Sequence, residues 1–403
     1  MEHVSIVIAG AGQAGARAAE AMRAAGFTGS ITLVGSERHL PYERPQLSKE
    51  LLLGTQETAG LIKSAEAWAE RRIDLILDAT VIDFDGNARQ ATLNDGRKLP
   101  CNRLLIATGT RPRRLSDIET APLPVHYLRT IEDARAIKRA IDVKARIAII
   151  GGGVIGLEAA AAAITSGCSV TVIEAAPGLL TRALPKQAGD FLRDRHEARG
   201  VVFRIGVTPS GVDAEGVILA DGSKVAADII IVGIGVEPEI SLASQLGLDA
   251  KDGIKVDCHG QTEIPEVYAA GDVALQFSAL HDRWMRIETW ANAQDQAVNT
   301  ARNMVGQERA YVAPPWFWTD QYDINLQVVG DPIVAEPILR GDPATGRFTL
   351  ISHRGDQIVG AVVINTPRDM AALRRLVASG AHVSRADLEN PALDLRRLVS
   401  AKS

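Results

Sequence analysis

Val4-Ser5-Ile6-Val7-Ile8-Ala9 runs directly into Gly10-Ala11-Gly12-Gln13-Ala14-Gly15. A short, nearly unbroken apolar run is the pattern of a strand buried on both faces of a parallel sheet, and the glycines that follow match G-x-G-x-x-G. The alanine-rich stretch from Ala16 to Ala25 predicts a helix ending at Gly26, and Ile31-Thr32-Leu33-Val34 predicts a second strand leading to Glu37, 22 residues after Gly15. Strand, glycine turn, helix, strand and acid in this order make up the complete dinucleotide-binding fingerprint. Gly10 permits the tight turn, Gly12 lets the backbone approach a pyrophosphate at the helix N-terminus, and Gly15 lets the helix rest against the strand. Glu37 is placed to accept hydrogen bonds from a ribose.

The arrangement occurs a second time. Ala145 to Ile150 reads as a strand, Gly151-Gly152-Gly153-Val154-Ile155-Gly156 as the turn, Leu157 to Ser166 as the helix, and Val170-Thr171-Val172-Ile173-Glu174 as the closing strand and acid, 18 residues after Gly156. Two fingerprints mean two dinucleotides or one binding fold duplicated. Glu174 is followed by Ala175 and Ala176, with no adjacent arginine to meet a 2′-phosphate. A carboxylate there repels such a phosphate, so the second site is expected to prefer NADH over NADPH.

Further along, Leu104-Leu105-Ile106-Ala107 runs into Thr108-Gly109, and Ile229-Ile230-Ile231-Val232 into Gly233-Ile234-Gly235. Each marks a place where the chain could pass from one nucleotide domain to the other. Val267 to Ala270 leads to Gly271-Asp272, an acid suited to the hydroxyls of a long ligand or equally to a helix N-cap. Ala291 to Val305, after Glu288-Thr289-Trp290, predicts a helix whose positive N-terminal end could face an anionic group. From residue 317 the pattern becomes β-rich, with strands expected over Ile324–Val329, Phe348–Ile351 and Ile358–Ile364, then a helix from Met370 to Val377 and a polar tail. The fold class expected is α/β: two Rossmann-like dinucleotide-binding domains and a smaller C-terminal α+β domain.

The 403 residues are 46% apolar and 23% charged, which suits a soluble globular chain of two or three domains. A net charge of -5 offers no basic excess to nucleic acid. No apolar stretch approaches the roughly 18 residues of a membrane span, and Met1-Glu2-His3 lacks the positive start of a signal peptide, so the cytoplasm is the expected location. Cys101, Cys168 and Cys258 stand far apart and the eight histidines form no H-x-x-x-H pair, so neither a disulfide nor a metal site is expected.

Taken in order, the two fingerprints, Ala107-Thr108-Gly109, Gly233-Ile234-Gly235 and Tyr268-Ala269-Ala270-Gly271-Asp272 resemble the pyridine nucleotide oxidoreductases of glutathione reductase fold along essentially the whole chain. More specifically, Pro41-Tyr42-Glu43-Arg44-Pro45-Gln46-Leu47-Ser48-Lys49 and Pro315-Trp316-Phe317-Trp318-Thr319-Asp320-Gln321-Tyr322 resemble the ferredoxin reductase branch, whose members serve Rieske-type oxygenases and cytochromes P450. The resemblance implies an FAD-binding domain over residues 1–111 and 240–316, an NAD-binding domain over 112–239 and a C-terminal domain over 317–403. It implies that Gly10, Gly12, Gly15, Glu37, Arg44, Lys49, Thr108, Gly109, Arg111, Asp272, Glu288, Thr289, Trp290 and Trp318 contact FAD. Gly151, Gly153, Ile155, Gly156, Glu158, Glu174, Arg182 and Gly235 would line NADH.

Hydride passing from NADH to a flavin ring needs stacked geometry and charge near the ring, not a nucleophile. Lys49 is the candidate cation beside N5 of the flavin, Glu158 its ionic partner, and the helix at Trp290 could aim N–H groups at the ring's pyrimidine edge. Disulfide reductases of this fold carry a C-x-x-x-x-C pair beside the flavin, and related oxidases or peroxidases a single cysteine. Here the corresponding stretch reads His39-Leu40-Pro41-Tyr42-Glu43-Arg44, and no His-Pro motif stands near the end. With no second redox group, electrons are expected to leave the flavin singly, to an iron–sulfur ferredoxin of [2Fe–2S] type. Ferredoxins are typically acidic, so Arg111, Arg113 and Arg114, with Arg302 and Arg309, are docking candidates, and Trp316 and Trp318 could lie toward the carrier. The protein itself is expected to be a monomer or weak dimer. Two other readings remain open on sequence: an NADH oxidase or peroxidase, and an NADH-sensing flavoprotein without rapid turnover.

Overall fold

The computed structural model describes residues 4–119, 121–334, 336–390 and 392–400. Two compact units divide the chain: Met1–Arg44 with Gly60–Arg111 and Val236–Ala313, and Pro45–Ala59 with Pro112–Gly235 and Pro314–Ser403.

In the first unit, Ser5–Ala9 lies at the centre of a five-stranded parallel sheet in the order Val267–Ala269, Arg103–Ile106, Ser5–Ala9, Ser30–Val34, Ile73–Ile76. Alternate residues of the central strand enter different cores, as a two-residue period requires. Ile6 and Ile8 pack with Ala18, Met22, Ala297 and Ala301 of the helices Gln13–Ala24 and Trp290–Met304. Val7 and Ala9 pack with Val81, Phe84 and Leu93 of an antiparallel meander, Val81–Asp85, Gln90–Leu93 and Lys98–Pro100. Helices rich in alanine allow this close approach to the sheet.

The second unit repeats the plan. Arg146–Ile150 is the central strand of a parallel sheet ordered Val202–Ile205, Ser169–Glu174, Arg146–Ile150, Ile229–Val232, Val125–His126, with its own meander over Pro209–Ala226. It also holds a five-stranded antiparallel sheet, ordered Trp316–Gln321, Ile324–Gly330, Gln357–Ile364, Arg347–Arg354, Ile338–Asp342, covered by the helix Pro367–Ala378. Leu157, Leu184 and Leu192 share one core with Leu326, Val328 and Phe348 of that sheet.

Several local expectations shift. Both fingerprint helices begin earlier than expected, at Gln13 and Val154, because the third glycine of each motif lies inside the first turn rather than ending the loop. Asp272 does not cap a helix, since the strand Ala274–Ser278 follows it. The polar tail contains two short helices, Arg385–Glu389 and Leu395–Ser400, anchored by the buried Leu388 and Leu395. Among the described residues no helix is long and apolar enough to cross a membrane.

Candidate functional site

Both glycine turns are built the same way. Gly10 has φ +117°, and a Cβ there would lie 2.2 Å from the Ala107 carbonyl oxygen; one on Gly15 would lie 1.9 Å from the Gly10 carbonyl oxygen. In the second turn the corresponding distances are 2.4 Å from Gly151 to Gly233 and 2.2 Å from Gly156 to Gly151. The middle glycines differ in kind. A Cβ on Gly12 would meet nothing within 4 Å, and one on Gly153 only the Gly233 carbonyl oxygen at 3.7 Å. The protein's own packing therefore demands the outer glycines, while the middle ones face space that a bound group can occupy.

These two residues are also the helix N-caps, in extended conformation and with no side-chain cap, whereas Thr130 and Thr289 cap their helices with hydroxyl oxygens. Uncapped N-terminal N–H groups suit a phosphate. The residues present fit a pyrophosphate at each turn.

The acid of each fingerprint is held differently. Glu174 accepts from the backbone N–H of Gly152 at 2.6 Å and of Ala176 at 2.7 Å, which fixes its carboxylate at the edge of the glycine turn. Glu37 accepts from the Tyr42 hydroxyl at 2.7 Å and from Arg44 at 2.5 Å. Burial works against the Arg44 charge, but Tyr42, Glu37 and Asp272 outweigh it and raise the guanidinium's proton affinity. Asp272 follows Gly271, whose N–H donates to Gln296 at 2.8 Å, so a buried amide holds this turn.

Elsewhere in the first unit, the Trp290 indole N–H donates to Glu43 at 2.7 Å, and Glu43 also pairs with Arg17 at 3.2 Å. Sequence carries no signal for Glu43 as the Trp290 anchor, since 247 residues separate the two. Thr289 caps the helix through the Asn292 N–H, and Glu288 pairs with Arg286 at 2.6 Å. The Thr108 hydroxyl donates to the Glu239 carbonyl at 2.7 Å, next to Gly109 at φ +70°. Arg111 is 55% exposed but already paired with Glu237 and Glu239.

In the second unit, Lys49 stands between two acids, 3.5 Å from Glu158 and 3.1 Å from Asp320, with the Trp318 ring centroid 5.7 Å away. Trp318 stacks on Trp316 at 5.4 Å, and Arg374 lies 4.4 Å over Trp316. Glu158 is only 5% exposed, and it accepts from Ser48 at 2.5 Å and Thr319 at 2.7 Å. Burial pushes its carboxyl up, while Lys49, Ser48 and Thr319 pull it down; burial prevails. Ile155 is exposed on the first turn of its helix. Gly235, at φ +102°, lies near Arg182 and Arg113, and its carbonyl accepts from the Arg113 N–H at 3.0 Å.

The three cysteines are free, and burial pushes the Cys101 thiol up to about 12. Among the described residues no cluster of His, Cys, Asp or Glu could hold a metal ion. A groove of about 580 Å³ in the first unit runs along Ala21, Ala24 and Val298 and is flanked by Arg302 and Arg309. Unlike Arg111 and Arg114, which pair with acids, these two guanidiniums have no hydrogen-bond or ion-pair partner among the described residues.

Residues 4–297 match the family described as pyridine nucleotide-disulphide oxidoreductase, and residues 316–399 match the reductase C-terminal domain. The chain belongs to the pyridine nucleotide-disulphide oxidoreductase family. Within it, the chain is 44% identical to the ferredoxin–NAD(+) reductase component of a p-cumate 2,3-dioxygenase system from Pseudomonas putida, across 97% of each protein. It is 41% identical to the corresponding component of an anthranilate 1,2-dioxygenase system from Burkholderia cepacia, over 97% of this chain and 98% of that one. The structure of a covalent putidaredoxin reductase–putidaredoxin complex matches with a TM-score of 0.94 at 34% identity, covering 99% of this chain and 98% of that one.

Proposed function

We propose that the protein takes hydride from NADH onto FAD and passes the electrons to an iron–sulfur ferredoxin that supplies a Rieske oxygenase or a cytochrome P450. The observation that carries this reading is the pair of open glycine turns, each with its own acid, in a chain with no cysteine in the stretch His39–Arg44. FAD, when bound, accepts an electron pair and releases it one electron at a time. A thiol relay is therefore unnecessary.

The FAD-binding domain is assigned to residues 1–111 and 240–316, the NAD-binding domain to 112–239 and the C-terminal domain to 317–403. Gly10, Gly12 and Gly15 form the FAD pyrophosphate turn; Glu37, Arg44, Thr108, Gly109, Arg111, Asp272, Glu288, Thr289 and Trp290 complete that site. Gly151, Gly153, Ile155, Gly156, Glu174, Arg182 and Gly235 hold NADH, with Glu174 accepting from the ribose hydroxyls and repelling a 2′-phosphate. Lys49, braced by Glu158, supplies positive charge for the hydride transfer, and Trp290, anchored by Glu43, orients the helix that it begins. The ferredoxin is of [2Fe–2S] type. It docks at the groove beside Arg302 and Arg309, whose unpaired charges attract an acidic partner while Val298 and Val312 offer apolar contact. The protein works in the cytoplasm, where NADH is made, as a monomer or weak dimer.

The test is NADH consumption by the FAD-loaded protein with cytochrome c present, with and without a [2Fe–2S] ferredoxin, while oxygen uptake is followed. Fast cytochrome reduction that requires ferredoxin is expected. Ferredoxin-independent oxygen uptake would favour an oxidase, and slow turnover with every carrier would favour an NADH sensor.

A further inference from the structure

Behind Glu158, within the second unit, lies an unbroken run of hydrogen bonds, buried except at its Tyr322 end. Thr319 Oγ1 is 2.7 Å from Glu158 Oε1, Gln321 Nε2 is 3.0 Å from Thr319 Oγ1, His196 Nε2 is 2.7 Å from Gln321 Oε1, and the Tyr322 hydroxyl is 2.8 Å from His196 Nδ1. His196, Thr319 and Gln321 are at most 1% exposed. An ionised carboxylate can only accept, and that one fact orients the rest. Thr319 gives its single hydroxyl hydrogen to Glu158, so its oxygen must accept from the Gln321 amide nitrogen. The Gln321 oxygen then faces His196, whose Nε2 must carry the hydrogen, and Nδ1 is left to accept from Tyr322. Desolvation lowers the imidazole's proton affinity to a pKa of about 4, which keeps it neutral as this arrangement needs.

The opposite polarity would turn the Thr319 hydroxyl away from Glu158 and would require a protonated carboxyl. In the direction described, the chain delivers a hydrogen to Glu158 Oε1 and so favours the ionised form of the carboxyl. The groups facing Glu158 are Lys49 and Ser48 from residues 45–59 and Thr319 from the C-terminal sheet; Asp320 acts on it through Lys49. Apolar side chains would fill this place at no polar desolvation cost. Tyr322, moreover, sits at φ +59°, a left-handed conformation that disfavours an aromatic residue, under the Arg199 guanidinium 4.1 Å from its ring.

We propose that Thr319, Gln321 and His196 are positioning residues of the NADH half-reaction: a one-directional hydrogen-bond chain through them keeps Glu158 ionised, and Glu158 in turn holds Lys49. The chain transmits polarity, not protons, because the Gln321 amide interrupts any simple proton hop. The last link rests on the role assigned to Lys49 above; the titration of Glu158 does not.

The experiment is infrared titration of the oxidised, FAD-loaded protein, with the Glu158→Gln variant subtracted so that the protonated-carboxyl band of Glu158 stands alone. Thr319→Val should raise its midpoint by about one pH unit, a tenfold change in proton affinity or about 1.4 kcal/mol. Gln321→Leu, His196→Phe and Tyr322→Phe should raise it by successively smaller amounts, and Thr319→Ser should restore it. Equal midpoints in all variants, or a shift that serine fails to rescue, would overturn the proposal whatever the melting temperatures do. The rate of flavin reduction by NADH, followed by rapid mixing, should show an acid limb that moves with the infrared midpoint. If the midpoint moves and the limb does not, the chain controls Glu158 and the assignment of Lys49 fails; if neither moves, the chain itself fails.

Discussion

Replacing Glu174 by glutamine should reverse the cofactor preference without unfolding the protein. Both carboxylate oxygens accept a backbone N–H, from Gly152 at 2.6 Å and Ala176 at 2.7 Å; a glutamine keeps one of these bonds and turns its NH2 toward the other donor, a local cost the fold should tolerate. Each carboxylate oxygen keeps further lone-pair capacity for a ribose hydroxyl. A hydrogen bond to a charged group contributes about 1.5–3 kcal/mol, so losing the charge should lower kcat/KM for NADH by roughly 10- to 150-fold. For NADPH the sign is opposite. Unit charges 4 Å apart repel by about 4 kcal/mol at an effective permittivity near 20, and removing even a third of that raises NADPH use about tenfold. The ratio of the two kcat/KM values should therefore move toward NADPH by about two orders of magnitude, and further in Glu174→Arg. The assay is ferredoxin-dependent cytochrome c reduction with each nucleotide, with a melting curve to confirm folding. A ratio within about threefold of wild type would show that Glu174 only braces the glycine turn and takes no part in nucleotide choice.

Other outcomes follow from the same geometry. Lys49→Met should slow flavin reduction by NADH while leaving FAD bound; a rapid-mixing trace equal to wild type would remove Lys49 from the hydride step. Gly12→Ala should cost the apoprotein no more than about 1 kcal/mol, since its Cβ meets nothing within 4 Å, yet weaken FAD binding sharply. Gly10→Ala should damage folding itself, because its Cβ would meet the Ala107 carbonyl at 2.2 Å. His196 has a folded pKa of about 4 against 6.5 for the free side chain, so its contribution is complete above pH 6.5 and is lost as pH falls toward 4. That amounts to about 3 kcal/mol, and denaturant melts of His196→Phe should show a correspondingly flatter acid limb than wild type. Substituting all three cysteines by serine or alanine should leave ferredoxin reduction intact, and a loss exceeding the loss of folded protein would restore a thiol mechanism.

Both nucleotide-binding folds were legible because the features that make them are local. A turn at positive φ, a helix that must touch a strand and an acid at the end of the next strand all fall within about forty residues. The same locality sets the expected helix starts too late, because a glycine reads as loop where its small size serves helix packing. The buried chain behind Glu158 had no such signal. Ser48, Glu158, His196 and Thr319 are brought together across separations of 110 to 161 residues, and a glutamine in a strand looks like any half-exposed polar residue. Trp290 and Glu43 are a second case, where the motif residues were visible and their pairing was not. Charge pairing is equally invisible: Arg111 and Arg114 look free in sequence, and the acids that pair with them lie at Glu237, Glu239 and Glu119. The tail helices escaped because each buries a single leucine.

The central claim, that NADH electrons leave this protein one at a time to an iron–sulfur carrier, is tested most directly by anaerobic titration. The FAD-loaded protein, a [2Fe–2S] ferredoxin in excess and successive aliquots of NADH are mixed without oxygen, and ferredoxin reduction is read from its visible bleaching. Two ferredoxins should be reduced per NADH, rapidly and with the flavin returning to its oxidised spectrum while ferredoxin remains. Bleaching of the flavin alone, with the ferredoxin left oxidised, would contradict it.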